Sequence, residues 1–276
     1  MNQNYLNELF HWVTERESIR EKRKQKMPPP WTTDTVLAQY RFCNVFREFD
    51  TVTQWIMREW LQESSPTLAF NTAVGRLVNW PDTLKELKWF DTWDPQRFID
   101  VLASRKARGE KVWTGAYMVT GGYSAGGESE EVIIARVLSG LWAQLNTTHG
   151  HLVPGDSLET MAAKLETPGI GTFLGAQIVA DLKNTEPYCN ASDWYTWCAP
   201  GPGSTMGLNF LHDRYRRASL SADQFRREVN EIRLMVAEET EFVLCAQNTQ
   251  NCLCELSKYI RAKYFNERLK TAYRPA

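Results

Sequence analysis

Apolar residues recur at helical spacing along almost the whole chain, and runs that alternate every second residue are nearly absent. Tyr5, Leu9, Trp12 and Val13 open the first such stripe. Val36, Leu37, Tyr40, Val45, Phe46 and Phe49 read as a second, capped by Asp34. Val52, Trp55, Ile56 and Trp60 continue the pattern, followed by Leu68, Ala73, Val74 and Leu77. Val132 to Leu145 reads as a strongly apolar helix of the core. Asp94-Pro95 and Arg108-Gly109 punctuate one helix, and Ser221-Ala-Asp-Gln224 opens another with the form of a capping box. Only Lys111 to Val119 reads as extended, and Gly115 interrupts it. The expected fold is all-α.

The 276 residues suffice for one large domain or two small ones with an ample core. The natural seams are Pro28–Trp31 and Gly150–Asp156. The first, with its run of prolines, separates an N-terminal charged helix and linker (1–30) from a helical domain (31–276). No apolar run approaches the roughly 18 residues of a membrane span, and the N-terminus lacks a signal-peptide core. A cytoplasmic protein with no membrane partner is expected. Lys plus Arg total 32 against 33 acids, which counts against a non-specific DNA binder but suits an enzyme with a local groove. The six cysteines are expected to be reduced. Cys245, Cys252 and Cys254 lack a fourth partner downstream, and His149 and His151 flank Gly150 in an expected loop. No metal site is expected.

Leu165-Glu-Thr-Pro168-Gly169-Ile170-Gly171-Thr172 reads as a turn between two short helices, leaving N–H groups open at the start of the second. With the helix dipole they suit a phosphate oxygen, or the Pro-Gly turn serves geometry alone. The arrangement resembles the helix-hairpin-helix of the DNA glycosylase superfamily. That resemblance implies a two-lobed helical fold with the hairpin at about 158–182, Gly169, Gly171 and Thr172 on the DNA backbone, and a carboxylate about twenty residues on facing a flipped-out nucleotide. Asp193 stands at that distance, with Trp194 and Trp197 beside it to stack on a base. An N-cap role for Asp193 is the alternative.

On a continuous helix Arg41, Asn44, Arg47 and Glu48 fall at i, i+3, i+6 and i+7 and share a face. Two arginines in that register suit a phosphate or pyrophosphate, unless they form a surface ion-pair ladder. Glu255, Lys258 and Tyr259 likewise form a polar face, in a site or as a buried ion pair joining lobes. Gly201 to Ser204 is either a close approach to substrate or a tight connection into the next helix.

Pro29-Pro30-Trp31-Thr-Thr-Asp34 leading into Tyr40-Arg-Phe-Cys-Asn-Val-Phe-Arg-Glu48 resembles the phage DNA-base hypermodification family. Further stretches fit: Thr114-Gly115-Ala116-Tyr117-Met118, Ala199-Pro-Gly-Pro-Gly-Ser204 with Gly207-Leu208-Asn209, and Asn251-Cys-Leu-Cys-Glu-Leu-Ser-Lys-Tyr259. The family includes the alpha-glutamyl/putrescinyl thymine pyrophosphorylases, or amino acid:DNA transferases, and the helical domain of 5-hydroxymethyl-deoxyuridine DNA kinases. The resemblance implies an amine, typically of an amino acid, displacing pyrophosphate from the C5 methylene of a flipped-out, pyrophosphorylated hydroxymethyluracil in DNA. The site would then be in the host cytoplasm if the chain is phage-encoded.

Under that reading Arg41 and Arg47 stabilise the leaving group, and Asp193 or Glu48 takes the proton of the incoming ammonium. Asn44, Trp194, Ser204, Asn209, Glu255, Lys258 and Tyr259 contact substrate. No cofactor is required, and a divalent metal on the pyrophosphate is compatible. A hydroxymethyluracil DNA kinase is the expected functional partner. Gly121-Gly122-Tyr-Ser-Ala-Gly126-Gly127 precedes a helix but lacks Gly-Lys-Ser/Thr and is followed by Glu128, Glu130 and Glu131, so it is no phosphate loop. The rivals are a monofunctional glycosylase and a non-catalytic DNA-reading partner of the kinase. The lyase form of a glycosylase is set aside because Phe173 stands where its lysine would.

Overall fold

A computed structural model describes residues 1–114 and 127–269 of the chain. Twelve α-helices follow one another among these residues. They are α1 (Gln3–Lys24), α2 (Thr35–Gln39), α3 (Thr51–Trp55), α4 (Leu68–Val78), α5 (Pro81–Leu87), α6 (Pro95–Ala107), α7 (Glu130–Leu145), α8 (Leu158–Leu165), α9 (Thr172–Leu182), α10 (Pro202–Leu211), α11 (Ala222–Thr240) and α12 (Ala246–Phe265). A 3-10 turn (Arg47–Phe49) precedes α3 and a π-helical turn (Ile56–Trp60) follows it. The described residues contain no strand; Thr167 and Ile170 form an isolated bridge. They are all-α, as expected. The stretches 115–118 and 121–126 singled out in the sequence lie outside the described residues.

Side-chain caps start several helices where the sequence placed them. Asp34 accepts the N–H groups of Val36 and Leu37, Asp94 that of Arg97, and the Ser221 hydroxyl that of Gln224. No helix among the described residues is long and apolar enough to cross a membrane.

The chain divides into two compact units, Met1–Asp50 with Tyr195–Ala276, and Thr51–Trp194. Neither expected seam is a boundary between them. In the first unit α1 is no separate appendage: Leu9, Trp12 and Val13 are fully buried in one core with Phe225, Val229, Ile232, Leu253 and Leu256. Burial of this stripe outweighs the charge of the helix's later turns. Helices α10 and α12 approach through glycines. A Cβ at Gly203 would lie 2.4 Å from the Cys254 Sγ, and one at Gly207 would lie 2.2 Å from the Leu253 carbonyl oxygen.

The second unit is built on α4, every residue of which is buried. Phe70 packs edge-on to Phe90, Trp93 and Trp142. Arg76 of α4 forms a buried ion pair with Asp181 of α9, its Nε donating at 2.8 Å. Helix α7 contributes Ile133, Ile134, Val137, Leu138 and Leu141, so the apolar run from Val132 is core, although α4 is the more deeply enclosed.

Candidate functional site

The second stripe of the sequence is not one helix. Helix α2 stops at Gln39, and residues 41–46 are irregular, so the face joining Arg41, Asn44, Arg47 and Glu48 does not form. Polar side chains replace the missing helical bonds. Arg16 of α1 donates from Nε to the Cys43 carbonyl at 3.0 Å and from Nη2 to the Asn44 Oδ1 at 2.6 Å and the Phe42 carbonyl at 3.4 Å. Glu255 of α12 accepts the Cys43 N–H at 3.2 Å. Asn44 donates its own N–H to Asp50 and its amide to the Phe49 carbonyl. Each backbone group tied this way is withdrawn from the i to i+4 ladder. Arg41 is exposed on this irregular stretch and is not brought into register with Arg47.

Arg47 and Glu48 start the following 3-10 turn and are fixed by α12. The Asn248 amide oxygen accepts the Arg47 N–H at 3.2 Å, and its nitrogen donates to the Glu48 carboxylate at 3.1 Å. One turn along, Asn251 donates to the Asn44 carbonyl. Glu255, only 2% exposed, then accepts from the Lys258 Nζ at 2.6 Å. Burial would lower the Lys258 ammonium, but Glu255 outweighs it and holds it above the ordinary lysine value.

Burial and then Glu255 push the Cys43 thiol up, and the same two causes push Cys254 up to about 11. Both thiols therefore stay protonated near neutral pH and are poor nucleophiles. Lys258 and Arg47 pull down on each of them, so the two cations bear on one small neighbourhood. This shelf can receive an anion and can hold an ammonium at Glu48. Among the described residues no group of three or more His, Cys, Asp or Glu is placed to hold a metal ion.

Three other expected contacts in this unit are committed to the scaffold. Ser204 is fully buried, donates to the Gly201 carbonyl and accepts from Gln250. The fully buried Asn209 donates to the Arg216 and Ala218 carbonyls, fixing the loop after α10. Tyr259 donates to Asp34 at 2.6 Å, away from the Glu255–Lys258 pair. Burial, followed by Asp34, holds its hydroxyl above the usual tyrosine value.

In the second unit a turn over residues 166–171 joins α8 to α9. Thr167 and Ile170 exchange both backbone bonds across it. Gly169 has φ +97°, and a Cβ there would fall 2.4 Å from Val137 Cγ2, so geometry and space both demand glycine. The two helix starts differ sharply. At α8, Asp193 accepts the N–H groups of Leu158 and Glu159 at 2.6 and 3.1 Å, Ser157 Oγ accepts that of Thr160, and the Ser157 carbonyl that of Met161. At α9, Gly171 is the N-cap with no side-chain cap, and Gly171, Thr172 and Phe173 are exposed. Asp193 thus caps α8 from 35 residues away, with both carboxylate oxygens engaged. Trp194 donates its indole N–H to the Lys183 carbonyl, and the Lys183 Nζ lies 3.9 Å from its ring centroid.

Sequence reasoning missed Arg16 and Asn248. Arg16 follows Leu9, Trp12 and Val13 at i+7, on the buried stripe, and that position was the available signal. Asn248, Asn251, Glu255 and Lys258 lie at i, i+3, i+7 and i+10, a polar face extending the one that was noticed.

The described residues are thus all-helical, with Arg47, Glu48 and Lys258 gathered on side-chain bonds to α12 in one unit and a helix start without a side-chain cap in the other. The chain belongs to the family described as the helical domain of 5-hmdU DNA kinase, whose model matches residues 3–267. It is similar to the 5-hmdU DNA kinase of Bacillus phage SP10, with 27% identity over 226 residues covering 73% of this chain and 35% of that protein. The chain therefore spans about a third of the length of this relative. No solved structure matches it.

Proposed function

We propose that this chain acts in thymidine hypermodification of phage DNA, transferring an amine, typically of an amino acid, to the C5 methylene of 5-pyrophosphorylmethyl-deoxyuridine. The observation that carries this reading is the grouping of Glu48, held by Asn248, with Arg47 and Lys258, whose charges both bear on Cys43 and Cys254. Membership of a DNA kinase domain family supports the substrate class.

In the reaction Glu48 takes a proton from the incoming ammonium, and the freed nitrogen lone pair attacks the methylene carbon. The carbon–oxygen bond breaks, and its electron pair leaves with pyrophosphate, which Arg47 and Lys258 stabilise. The open start of α9 holds a DNA phosphate through the N–H groups of Thr172 and Phe173, next to Gly171. Asp193 has less support as a catalytic group, because both its oxygens accept helix N–H groups. A monofunctional glycosylase loses support with it. A DNA-reading partner of a hydroxymethyluracil DNA kinase is the second reading, favoured by membership of the helical-domain family of such a kinase.

The test is incubation of the chain with DNA carrying pyrophosphorylated hydroxymethyluracil and an amino-acid pool, followed by mass spectrometry of the nucleosides. An amine adduct is expected, formed about 100-fold more slowly by Glu48→Gln. Release of free base would establish a glycosylase. Binding with neither product would establish the reading module.

A further inference from the structure

We infer that Arg16 is a positioning residue for a diphosphate seat on the shelf, acting through the loop that carries Cys43, Asn44, Arg47 and Glu48. The inference rests on the proposed reading of this shelf. Arg16 is 8% exposed, although it opens a charged run that extends to Lys26. Its fork engages three oxygens within three consecutive residues, the Phe42 and Cys43 carbonyls and the Asn44 side chain. From the other side Glu255 accepts the Cys43 N–H, so this peptide is clamped between α1 and α12.

The geometry gives the clamp a purpose. Glu255 also fixes Lys258, and Asn248 fixes Arg47 and Glu48. All the charges of the shelf are thereby referenced to α12, and the loop bearing two of them can keep that register only while its own backbone is held. Arg16 supplies the hold. A guanidinium present only for solubility or ion pairing would not give its bonds to main-chain carbonyls in a buried setting. Its Nη1 is buried with no partner, a desolvation cost accepted to keep the fork on the loop. The charged groups bearing on it are Asp50, Arg23 and Glu17, together with the Cys43 thiol, and Asp50 is the main compensating charge.

Two readouts on the full chain test this. One is calorimetric titration with inorganic pyrophosphate; the other is the alkylation rate of Cys43 by iodoacetamide, resolved by peptide mass mapping. Arg16→Gln is expected to weaken pyrophosphate binding about tenfold and to speed Cys43 labelling severalfold. Arg16→Lys keeps the charge but not the fork, so its affinity should fall between the two while labelling stays fast. If Arg16→Gln fails to fold, Asn44→Ala removes one acceptor of the clamp and should show the same changes at smaller amplitude. Wild-type affinity and labelling in these variants overturn the positioning role and leave the transfer reading standing. A wild-type chain that does not bind pyrophosphate overturns the seat and the transfer reading together.

Discussion

The turn between α8 and α9 in the second unit and the loop of residues 41–48 in the first use their carboxylates and their backbone in opposite ways. In the second unit Asp193, at the spacing of a catalytic carboxylate after a hairpin, spends both oxygens on the start of α8. What that unit leaves open is backbone, the exposed start of α9 after Gly171. In the first unit the backbone is closed by side chains, with Arg16 and Glu255 holding residues 42–44, while Glu48 takes a side-chain amide rather than helix N–H groups and stays half-buried beside Arg47. A carboxylate's position in the sequence therefore says little about its availability. Its count of N–H partners decides that.

Gly171→Glu bears hardest on this contrast. A Cβ at Gly171 meets nothing within 4 Å, and an acid at a helix start suits the dipole, so folding should be unaffected. Affinity for unmodified duplex should nonetheless fall about tenfold, roughly 1.4 kcal/mol, because negative charge then faces the phosphate. Unchanged affinity by fluorescence anisotropy would show that the α9 start is not a phosphate seat.

Asp193→Asn comes next. An amide has one acceptor oxygen where two are used, so a loss of about 1 kcal/mol in urea unfolding is expected, with adduct formation kept within a few-fold of wild type. A hundredfold loss of turnover in a stable Asp193→Asn protein would restore the carboxylate to the chemistry and break the contrast.

The smallest effect concerns Asp34, the capping carboxylate of the first unit. Burial pulls its carboxyl up, but hydrogen bonds from Tyr259, the Leu37 N–H and His11 outweigh that and hold it below the usual carboxylate range. A folded value below the unfolded one contributes stability above the unfolded value of about 3.9, and that stability is lost as pH falls through the folded value. Asp34→Asn should therefore be less stable than wild type at pH 7 by under about 1 kcal/mol. The gap should close below about pH 4. A gap independent of pH in thermal melts would mean that the charge of Asp34 adds nothing.

The sequence by itself determined the helical class, several helix starts and the turn between α8 and α9. These depend on local physics: apolar spacing, a side-chain oxygen within three residues of the N–H it caps, and glycine where φ is positive. It also marked Glu255 and Lys258 as a pair, since i, i+3 neighbours on a helix meet wherever that helix packs. Only the tertiary structure decided that residues 41–46 leave the helix, because the groups holding them come from Arg16 and Glu255, 27 and 212 residues from Cys43. It likewise decided that Asp193 caps a helix begun 35 residues earlier, and that Gly203 serves contact with Cys254. Local pattern fixes what a backbone prefers. Which polar group is left over depends on partners distant in sequence, and chain closure brings these together only in the packed fold.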